Sequence, residues 1–405
     1  MASFESGIVA TNRAGRQGSV KVAHITTIDM SLRYLLLNQL CSLREAGYDV
    51  VGISSPGPDV AALEAAGIRH IPVKMTRNLT PAADLVSLWQ LWAIMRRERF
   101  TIVHTHTPKP GLLGQLAARM AGVPVVVDTL HGFYFHDRMH PTMRRFYITM
   151  EKIAARCSDV ILSQNSEDIQ TAIREGICPA DKIRFLGNGI DTRRFDSARF
   201  TPELRVAKRR ELGLPEGAPV VGFVGRLVRE KGVLELFEAA RIMRERMPNA
   251  QFLFVGPIDT EKLDAITPEA ARQFGIDANC HFVGLRQDMP ELYAVMDVFV
   301  LPSHREGFPR SPMEASAMGV PCVVTDIRGC REAVEHNVNG LLVPLRDIPS
   351  LAKAIYDLLT NEGKASSMRA AGRAMALERF DEELVFGRVK AEYIQLLKAK
   401  GLAGP

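Results

Sequence analysis

The 405-residue sequence lacks the features that define several protein classes. Its six cysteines contain no C-x-x-C pair, which argues against a disulfide frame or zinc site and favours reduced thiols. No apolar run reaches the roughly 18 residues of a membrane span, and the first residues lack the layout of a signal peptide. A P-loop is missing, as is G-x-G-x-x-G after a first strand. We therefore expect a cytoplasmic protein and disfavour a nicotinamide-dependent oxidoreductase.

The composition suits a soluble protein of more than one domain. Hydrophobic residues make up 46% of the chain and charged residues 24%, and the length fits two ordinary domains. The net charge is +5, and its excess lies in residues 1–190, which contain 21 Lys and Arg against 16 Asp and Glu; residues 191–405 contain 30 of each. This excess is too small to indicate nucleic-acid binding, but it suits an anionic partner at one surface.

Strand-like and helix-like segments alternate along most of the chain. Val- and Ile-rich runs, such as 20–28, 101–105 and 160–163, are typical of a parallel sheet covered by helices on both faces. The pattern restarts at Val220 after a polar stretch, so the sequence predicts an α/β protein with two doubly wound, Rossmann-like domains that face a cleft. The expected division is a flexible tail at 1–18, a first domain at 19–190, a linker at 191–217, a second domain at 218–375 and a C-terminal helix at 376–405 that packs back on the first domain.

A glycine-rich and basic segment lies at residues 225–232, with the sequence Gly-Arg-Leu-Val-Arg-Glu-Lys-Gly. It follows a predicted buried strand and leads into a predicted helix. Glycine permits close backbone approach, and a helix N-terminus offers unpaired N–H groups to an anion. Arg226 and Lys231 add two cations, so the segment suits a diphosphate. An ordinary solvated loop with surface charges explains the same pattern equally well.

A second segment, residues 306–314, has the sequence Glu-Gly-Phe-Pro-Arg-Ser-Pro-Met-Glu and also follows a predicted strand. Glu306 and Glu314 can present carboxylates to the hydroxyl groups of a sugar or ribose, through charge-assisted hydrogen bonds of roughly 1.5–3 kcal/mol each. A structural interpretation competes for Glu314, since Ser311, Pro312 and Glu314 also fit a capping box at a helix start. Glu306 has no comparable structural explanation.

Together these segments resemble glycosyltransferase family 4, whose members have the GT-B fold. The matching motifs are G-R-L-x-x-E-K-G at 225–232, E-G-F-x-x-[ST]-x-x-E at 306–314, N-G-I-D at 188–191 and T-L-H-G at 129–132. The resemblance covers about residues 20–398. It implies a retaining hexosyltransferase, class EC 2.4, that takes a sugar from a nucleotide-sugar bound by the C-terminal domain. The N-terminal domain then binds the acceptor.

The resemblance also implies roles for individual residues. Arg226 and Lys231 would bind the donor diphosphate, and Glu314 would bind the ribose hydroxyls. Glu306 and His131 would contact the transferred sugar. The catalytic set is therefore His131, Glu306, Arg226 and Lys231, and the further donor-binding residues are Gly284 and Leu285 near the base, Gly307, Phe308 and Arg310 near the sugar and phosphate, and Glu314.

The chain departs from the family pattern at two places. Many members have a Gly-Gly loop after the first strand, where this chain has Thr-Thr-Ile-Asp-Met-Ser-Leu-Arg at 26–33. The contacts of that loop cannot be transferred, but Asp29, Ser31, Arg33 and also His106 remain candidates for binding the acceptor. Pro309 stands where glycine is common, and it removes one N–H that could bind phosphate. Both variants are similar to enzymes of bacterial surface polysaccharide or lipid-linked oligosaccharide synthesis.

The implied chemistry needs no metal and no protein nucleophile. Departure of the nucleoside diphosphate leaves an oxocarbenium-like sugar, and Arg226, Lys231 and a helix dipole can stabilise the leaving oxygen. There is no Asp-x-Asp to hold a metal-bound diphosphate, and the second carboxylate that a glycosidase needs is not apparent. His104 and His106 lie two residues apart on a predicted strand but lack a recognisable set of further ligands. We therefore expect no metal or other cofactor.

One aromatic and basic segment bears on a membrane partner. Residues 133–147 interleave aromatic side chains with arginines, which suits an anionic inner-leaflet surface or a polyprenyl diphosphate. Inward-packed aromatics with solvated arginines would give the same sequence. Arg96-Arg97-Glu98-Arg99 could extend this basic surface; they end a stretch, residues 82–99, that has the spacing of a helix between two strands, with Leu85, Leu88, Trp89 and Trp92 on one side. We expect a peripheral protein at the inner face of the cytoplasmic membrane.

Several alternatives remain open from the sequence. A UDP-sugar is the favoured donor and GDP-mannose the next, with a hexose or N-acetylhexosamine transferred to a glycan or polyprenyl-diphosphate-linked acceptor. A nucleotide-sugar epimerase, a phosphorylase of the same fold, or a sugar-binding module without turnover would retain the same motifs. The transferred sugar, the accepting hydroxyl and the oligomeric state are not determined by the sequence.

Overall fold

The framework of the protein consists of two β-sheets. The computed structural model describes residues 20–76, 78, 80–136, 139–259 and 264–405, so the predicted tail at 1–18 lies outside the described residues. The strands of the first sheet are β1 (Lys21–Ile28), β2 (Asp49–Ser55), β3 (Arg69–Pro72), β4 (Ile102–His106), β5 (Val125–Leu130), β6 (Val160–Ser163) and β7 (Ile183–Phe185). The strands of the second are β8 (Val220–Val224), β9 (Gln251–Val255), β10 (Cys280–Phe282), β11 (Val298–Leu301), β12 (Cys322–Thr325) and β13 (Gly340–Val343).

The strand orders are those of doubly wound sheets. The first sheet has the order β3-β2-β1-β4-β5-β6-β7, and the second has the order β10-β9-β8-β11-β12-β13. Neighbouring strands run parallel, as at β1–β2, β5–β6, β8–β9 and β11–β12. In each sheet the order reverses beside the first strand, which is where ligands bind in such sheets. The prediction of two parallel-sheet α/β domains is confirmed.

Helices connect the strands. In the first half they are α1 (Asp29–Ser31), α2 (Leu37–Glu45), α3 (Val60–Ala65), α4 (Pro81–Glu98), α5 (Pro108–Ala121), α6 (Pro141–Cys157) and α7 (Ser166–Arg174), with a π-helical turn at Leu32–Leu36. In the second half they are α8 (Pro202–Glu211), α9 (Val233–Arg244), α10 (Ala270–Gln273), α11 (Met289–Ala294), α12 (Arg310–Ala317), α13 (Cys330–Ala333), α14 (Ile348–Thr360), α15 (Glu362–Arg379) and α16 (Glu382–Ala399). Among the described residues, none of these helices combines the length and the apolar character that a membrane crossing requires.

The chain divides into two compact units. The first contains the described residues up to Thr105, with Leu113–Val126 and Ile394–Pro405, and the second contains His106–Leu112 and Val127–Tyr393. These limits follow the packing of the chain, and the domain limits expected at 190 and 218 stay a prediction.

The first unit has a core of aliphatic side chains from β1, β2, β4, α4 and α5. On α4, Leu91 and Met95 pack into this core, whereas Leu85 is 68% and Trp89 64% exposed. The apolar side predicted from helical spacing is therefore divided between the core and the surface. At the other end of the helix, Glu98 forms an ion pair with Lys21 at 2.6 Å, which connects α4 to the start of β1.

The second unit contains the whole second sheet and a large core around it. Phe223, Phe237 and Phe254 pack together in that core through ring contacts of 5.3–5.8 Å. The last helix also contacts residues near β7: Arg388 donates to the carbonyl of Leu186 at 2.7 Å, and Arg184 forms an ion pair with Glu392 at 2.6 Å. These bonds hold α16 beside the segment that leads out of the first sheet.

Candidate functional site

The Gly-Arg-Leu segment folds as a tight turn after the buried strand β8. A short 3₁₀ turn at Arg229–Lys231 precedes α9, and Gly232 lies between them with a φ of 75°. A side chain at Gly232 would place its Cβ 2.0 Å from the carbonyl oxygen of Pro302. Only glycine therefore fits this position, and the close approach brings the end of the segment against the chain that follows β11.

Lys231 and Glu306 form the central ion pair of the site. Lys231 Nζ lies 2.5 Å from Glu306 Oε1, and the Ser303 hydroxyl donates to the same oxygen at 2.7 Å. The side chains are 21% and 8% exposed, so water screens the pair weakly. Lys231 and Glu306 are 75 residues apart in the sequence, and their two motifs thus meet through these charged groups. Ser303, which orients the carboxylate, was not predicted.

Arg226 has a different partner. Its guanidinium forms an ion pair with Asp259 at 2.6 Å, and the arginine side chain is 40% exposed. Asp259 lies in the segment after β9, so it comes from a neighbouring strand of the same sheet. The structure therefore brings Lys231 and Glu306 into direct contact but pairs Arg226 separately. A carboxylate shortly after a predicted strand was the signal that could have identified Asp259.

The T-L-H-G motif after β5 contacts the E-G-F motif after β11. A Cβ built on Gly307 would lie 1.9 Å from the His131 carbonyl oxygen, and one on Gly132 would lie 2.8 Å from Gly307 Cα. Asn165 donates its amide to the Gly307 carbonyl at 2.8 Å. Asn188, from the N-G-I-D motif, donates to the Phe308 carbonyl at 2.8 Å. Three motifs recognised separately in the sequence therefore meet at one short stretch of backbone.

Ion pairs surround this contact. Asp168 in the first turns of α7 is fully buried and lies 2.9 Å from Arg328, while Glu167 pairs with Arg331 at 2.8 Å. Burial raises the pKa of Asp168 to about 6, and the Arg328 guanidinium opposes that shift. None of these four residues was singled out from the sequence, because their pairing depends on which loops meet.

His131 is positioned by its ring nitrogens. Nδ1 lies 3.1 Å from Gln164 Oε1, an acceptor, so Nδ1 carries the proton and Nε2 is the acceptor nitrogen. Nε2 lies 3.2 Å from Nδ1 of His106, a buried residue proposed for the acceptor side. Loss of water around the ring lowers the pKa of His131 to about 4, and the nearby Arg310 lowers it further while Gln164 opposes the shift. The ring is therefore neutral at physiological pH.

We expect His131 to make the protein less stable in mild acid. Because its folded-state pKa of about 4 is below the ordinary 6.5, the unfolded chain binds a proton first, and folding stability falls as the pH drops from 6.5 to 4. His131→Gln removes this contribution, so its urea midpoint will fall less across that range than the wild-type midpoint. His140→Gln, at an exposed position before α6, serves as the control. Identical pH curves for His131→Gln and the wild type would contradict the assignment.

Glu314 does not act as a helix cap. Helix α12 begins at Arg310 with Pro309 as its N-cap residue, and no side chain caps it. The capping-box interpretation was therefore wrong, because the helix starts one residue before Ser311. Glu314 instead accepts a hydrogen bond from the buried Tyr293 hydroxyl at 2.8 Å, and burial raises the pKa of its carboxyl group. Because the Glu314 carboxylate does not cap the helix, its proposed role in binding the ribose hydroxyls stays a prediction.

Gly284 and Leu285 lie at the same edge of the sheet as Arg226. The N–H of Gly225, after β8, donates to Val255 at the end of β9, and the N–H of Gly256 donates to the Gly284 carbonyl, both at 2.9 Å. The three turns after β8, β9 and β10 are thus adjacent. Leu285 is exposed beside them. An exposed apolar side chain beside a glycine turn suits contact with a flat ring, but the role of this turn stays a prediction.

The acceptor candidates of the first unit lie directly after β1. Helix α1 begins at Asp29, directly after the end of β1. Asp29 is buried, and its carboxylate accepts a hydrogen bond from the Asp59 N–H at 2.8 Å. Ser31 is half-buried, and the Arg33 guanidinium lies 5.9 Å from the Tyr34 ring centre. Asp29 therefore already has a structural partner, and the acceptor roles of all three residues stay predictions.

Comparison with known proteins places these features in a family. Residues 205–375 match the model for glycosyl transferases group 1, and residues 33–189 match that for a glycosyl transferase 4-like domain. The chain is 30% identical over 386 residues to the UDP-Gal:alpha-D-GlcNAc-diphosphoundecaprenol alpha-1,3-galactosyltransferase of Escherichia coli, covering 94% of this chain and 98% of that protein. It is 28% identical to the capsular polysaccharide biosynthesis glycosyltransferase CapM of Staphylococcus aureus, covering 93% and 98%.

A solved structure shows the same fold. Anabaena HepE, determined in complex with UDP-glucose, superposes with a TM-score of 0.78 at 21% identity, covering 93% of this chain and 99% of that one. Two parallel sheets with these motifs at their carboxyl edges make the protein a glycosyltransferase of the GT-B fold. The matched models and the E. coli relative place it further: the chain belongs to glycosyltransferase family 4. The family, fold and transferase class implied by the sequence motifs are confirmed.

Proposed function

We propose that this protein transfers a hexose or N-acetylhexosamine from a UDP-sugar to a lipid-linked glycan, with retention of the anomeric configuration. The main support is the E. coli relative, whose name specifies a UDP-sugar donor and a diphosphoundecaprenol-linked acceptor and which aligns over 98% of its length. GDP-mannose is the second donor candidate. The acceptor of this chain would be a glycan attached to a polyprenyl diphosphate in bacterial polysaccharide or oligosaccharide synthesis.

The charges of the site suit departure of a diphosphate without a metal. Lys231 Nζ is weakly exposed and held by Glu306 at 2.5 Å, and Arg226 lies on the turn that leads to it. Fixed cations in such a place stabilise the charge that develops on the leaving oxygen at no cost of reorganisation. Glu306 and Glu314 would hold hydroxyl groups of the sugar and ribose. We propose that the protein requires no metal ion or other cofactor.

Retention would follow from attack on the face that the leaving group occupies. The departing phosphate oxygen takes the proton of the acceptor hydroxyl, the new glycosidic bond forms, and the bond to the diphosphate breaks. Neutral His131 suits this scheme because it can border the transferred sugar without adding charge, while Gln164 and His106 hold its two ring nitrogens in place. The backbone of Gly307 and Phe308, fixed by two asparagine amides, would border the same space.

A donor and acceptor screen tests this proposal. The purified protein is incubated with UDP-galactose, UDP-N-acetylglucosamine, UDP-glucose or GDP-mannose, with and without a GlcNAc-bearing polyprenyl diphosphate, in the presence of EDTA. We expect acceptor-dependent release of UDP from one UDP-sugar and an axial anomeric linkage in the product by NMR. An epimer formed without acceptor would favour the epimerase. Inverted linkage, or activity that needs added divalent cations, would contradict retention or the metal-free site respectively.

We further propose that the protein binds the anionic surface of the inner membrane leaflet through α4. Leu85, Val86 and Trp89 are among the most exposed large apolar side chains of the described residues, and Arg96 and Arg97 are exposed on the same helix. Apolar side chains that enter the lipid boundary beside cations that meet phosphate groups are typical of peripheral membrane helices. The positive charge excess of residues 1–190 supports the same partner.

The aromatic segment at 133–147 contributes less to such a surface. Phe133 and Phe135 are buried in the core and stack on each other at 4.7 Å, whereas Tyr134 and Phe146 are exposed. The predicted basic and aromatic surface also included Asp137 and Arg138, which lie outside the described residues. Two of the five Phe and Tyr side chains in this segment therefore serve packing, and α4 presents the larger apolar area.

Vesicle binding will test the α4 surface. Leu85→Ser/Trp89→Ser should reduce co-sedimentation with phosphatidylglycerol vesicles at least tenfold, because each side chain contributes roughly 1.5–3 kcal/mol on burial. Leu377→Ser removes a comparably exposed leucine from α15 and serves as the control. Wild-type protein will bind vesicles of phosphatidylcholine alone more weakly. Equal binding by the double variant and the control would rule out α4 as the contact.

A further inference from the structure

A cavity of about 550 Å³ lies in the second unit at the amino edge of its sheet. Its lining includes Met296 and Asp297, which directly precede β11, and Val320, which precedes β12. Glu306 follows the other end of β11, so the cavity and the donor motifs lie at opposite edges of the same sheet. The remaining walls come from α8, α11 and α15. This cavity is therefore separate from the site described above.

Four arginines line this cavity, in two pairs on two helices. Arg205 and Arg209 lie one turn apart on α8, and Arg369 and Arg373 lie one turn apart on α15. Like charges four residues apart on a helix destabilise it by about 0.2–0.5 kcal/mol per pair. The cavity is lined by two such pairs, so the repulsion between like charges is present twice. An anion bound between the arginines would turn this repulsion into net attraction.

Protein groups balance only part of this charge. Arg373 donates to the carbonyls of Phe195 and Ala317 and pairs with Asp196 at 3.0 Å. Arg369 binds Glu362 at 2.5 Å. Arg369 and Arg373 are therefore each paired with an acidic residue that does not line the cavity.

The pair on α8 has less compensation. One guanidinium nitrogen of Arg209 donates hydrogen bonds to the backbone carbonyls of Pro215 and Ala218, which carry no charge. Asp297 is the acidic residue among the cavity-lining residues described; it interacts electrostatically with Arg209 and Arg369, and one of its oxygens accepts the Val220 N–H at 2.8 Å, so one carboxylate faces four guanidinium groups. A guanidinium has five N–H donors, so the arginines keep donors for a ligand in the cavity.

From this arrangement we propose that the cavity is a second binding site for a phosphorylated small molecule, beyond the transferase function. Arginine binds phosphoryl oxygens through two parallel hydrogen bonds and is the residue best suited to this group. The volume lies within the range of small-ligand pockets, about 300–1,000 Å³. Val295, Met318 and Val320 form an apolar part of the lining that suits the carbon skeleton of a sugar phosphate.

Equilibrium binding of two probes tests the proposal: inorganic phosphate and glucose 6-phosphate, each titrated calorimetrically into the full-length protein. Binding of both assigns a phosphate site, and preference for glucose 6-phosphate assigns a sugar-phosphate site. Arg205→Glu reverses one exposed charge at the cavity, and we expect it to weaken binding at least tenfold. Arg210→Glu, an exposed arginine of the same helix that does not line the cavity, is the matched control and will bind like the wild type.

A phosphate could also bind the donor site, and Lys231→Ala separates the two. If the cavity is the site, Lys231→Ala binds both probes with wild-type affinity while Arg205→Glu does not. Loss of binding in Lys231→Ala with retention in Arg205→Glu would overturn the proposal, as would no binding to the wild type at millimolar probe. Equal weakening of probe binding by Arg205→Glu and Arg210→Glu would contradict a site in the cavity, because it would indicate a general effect of the protein's charge. Arg205→Ala, with circular dichroism of each variant, excludes misfolding as the cause.

Discussion

Alanine at position 231 will lower the rate of sugar transfer by about 10²–10³, the effect of removing one group that stabilises a leaving oxygen. The reason is local: the Lys231 ammonium is weakly exposed, and Glu306 holds it at 2.5 Å in a fixed position. Arg226→Ala will give a loss of the same order. The measurement is the single-turnover transfer rate at saturating nucleotide-sugar, which separates the chemical step from product release.

Two controls separate catalysis from stability. Arg229→Ala removes an exposed cation from the same 3₁₀ turn, and its rate will stay within about twofold of the wild type. Lys231→Ala leaves the Glu306 carboxylate buried without its cation, which lowers the melting temperature. Glu306→Gln added to Lys231→Ala will restore the melting temperature but not the rate. Wild-type transfer by Lys231→Ala would refute its place in the diphosphate site.

Gly307→Ala will also abolish most of the transferase activity, because it forces apart two backbone segments of the site. Its Cβ would lie 1.9 Å from the His131 carbonyl oxygen, so the two loops must move apart. A displacement of about 1 Å in a site can lower the rate by about 10²-fold. We expect transfer to fall by about that factor, together with a melting temperature lower by several degrees. Steady-state transfer and thermal unfolding measure the two effects.

The control variant for the Gly307→Ala prediction is Gly387→Ala. Gly387 lies in α16, and a Cβ there has no atom within 4 Å. The substitution will stabilise the protein by roughly 0.5–1 kcal/mol, because alanine favours the helix, and leave transfer unchanged. If Gly307→Ala behaves like Gly387→Ala, the close contact between the two motifs is not a requirement of the active enzyme.

The secondary structure was largely predictable because it depends on local patterns. Continuous Val and Ile runs located strands such as β1 and β8 within a residue or two. Helix boundaries were less predictable: the first helix begins at Asp29, directly after β1, and its next residues form a π-helical turn. The period of α4 was evident, but the face that packs against the core depends on neighbouring elements, so the exposure of Leu85 and Trp89 could not be predicted.

The site was predictable at the level of motifs and not at the level of contacts. The spacing of glycines, cations and carboxylates identified Lys231 and Glu306, and the structure pairs them. Their companions Ser303 and Gln164 carry no distinctive pattern, and Asp259 is marked only by its place shortly after a strand. These residues become informative only when the strands are placed side by side. Glu314 shows the opposite error, because a local capping rule suggested a role that the helix boundary removes.

The asparagine bonds at the meeting of the motifs have a consequence for folding. Asn165 reaches the Gly307 carbonyl across 142 residues of chain, and Asn188 reaches the Phe308 carbonyl across 120. Closing loops of this length costs entropy that is recovered only after both sheets exist, so such contacts form late. During biosynthesis the hydrophobic cores can therefore assemble while the enzyme is still inactive. Catalytic activity is therefore expected only once these long-range contacts have formed.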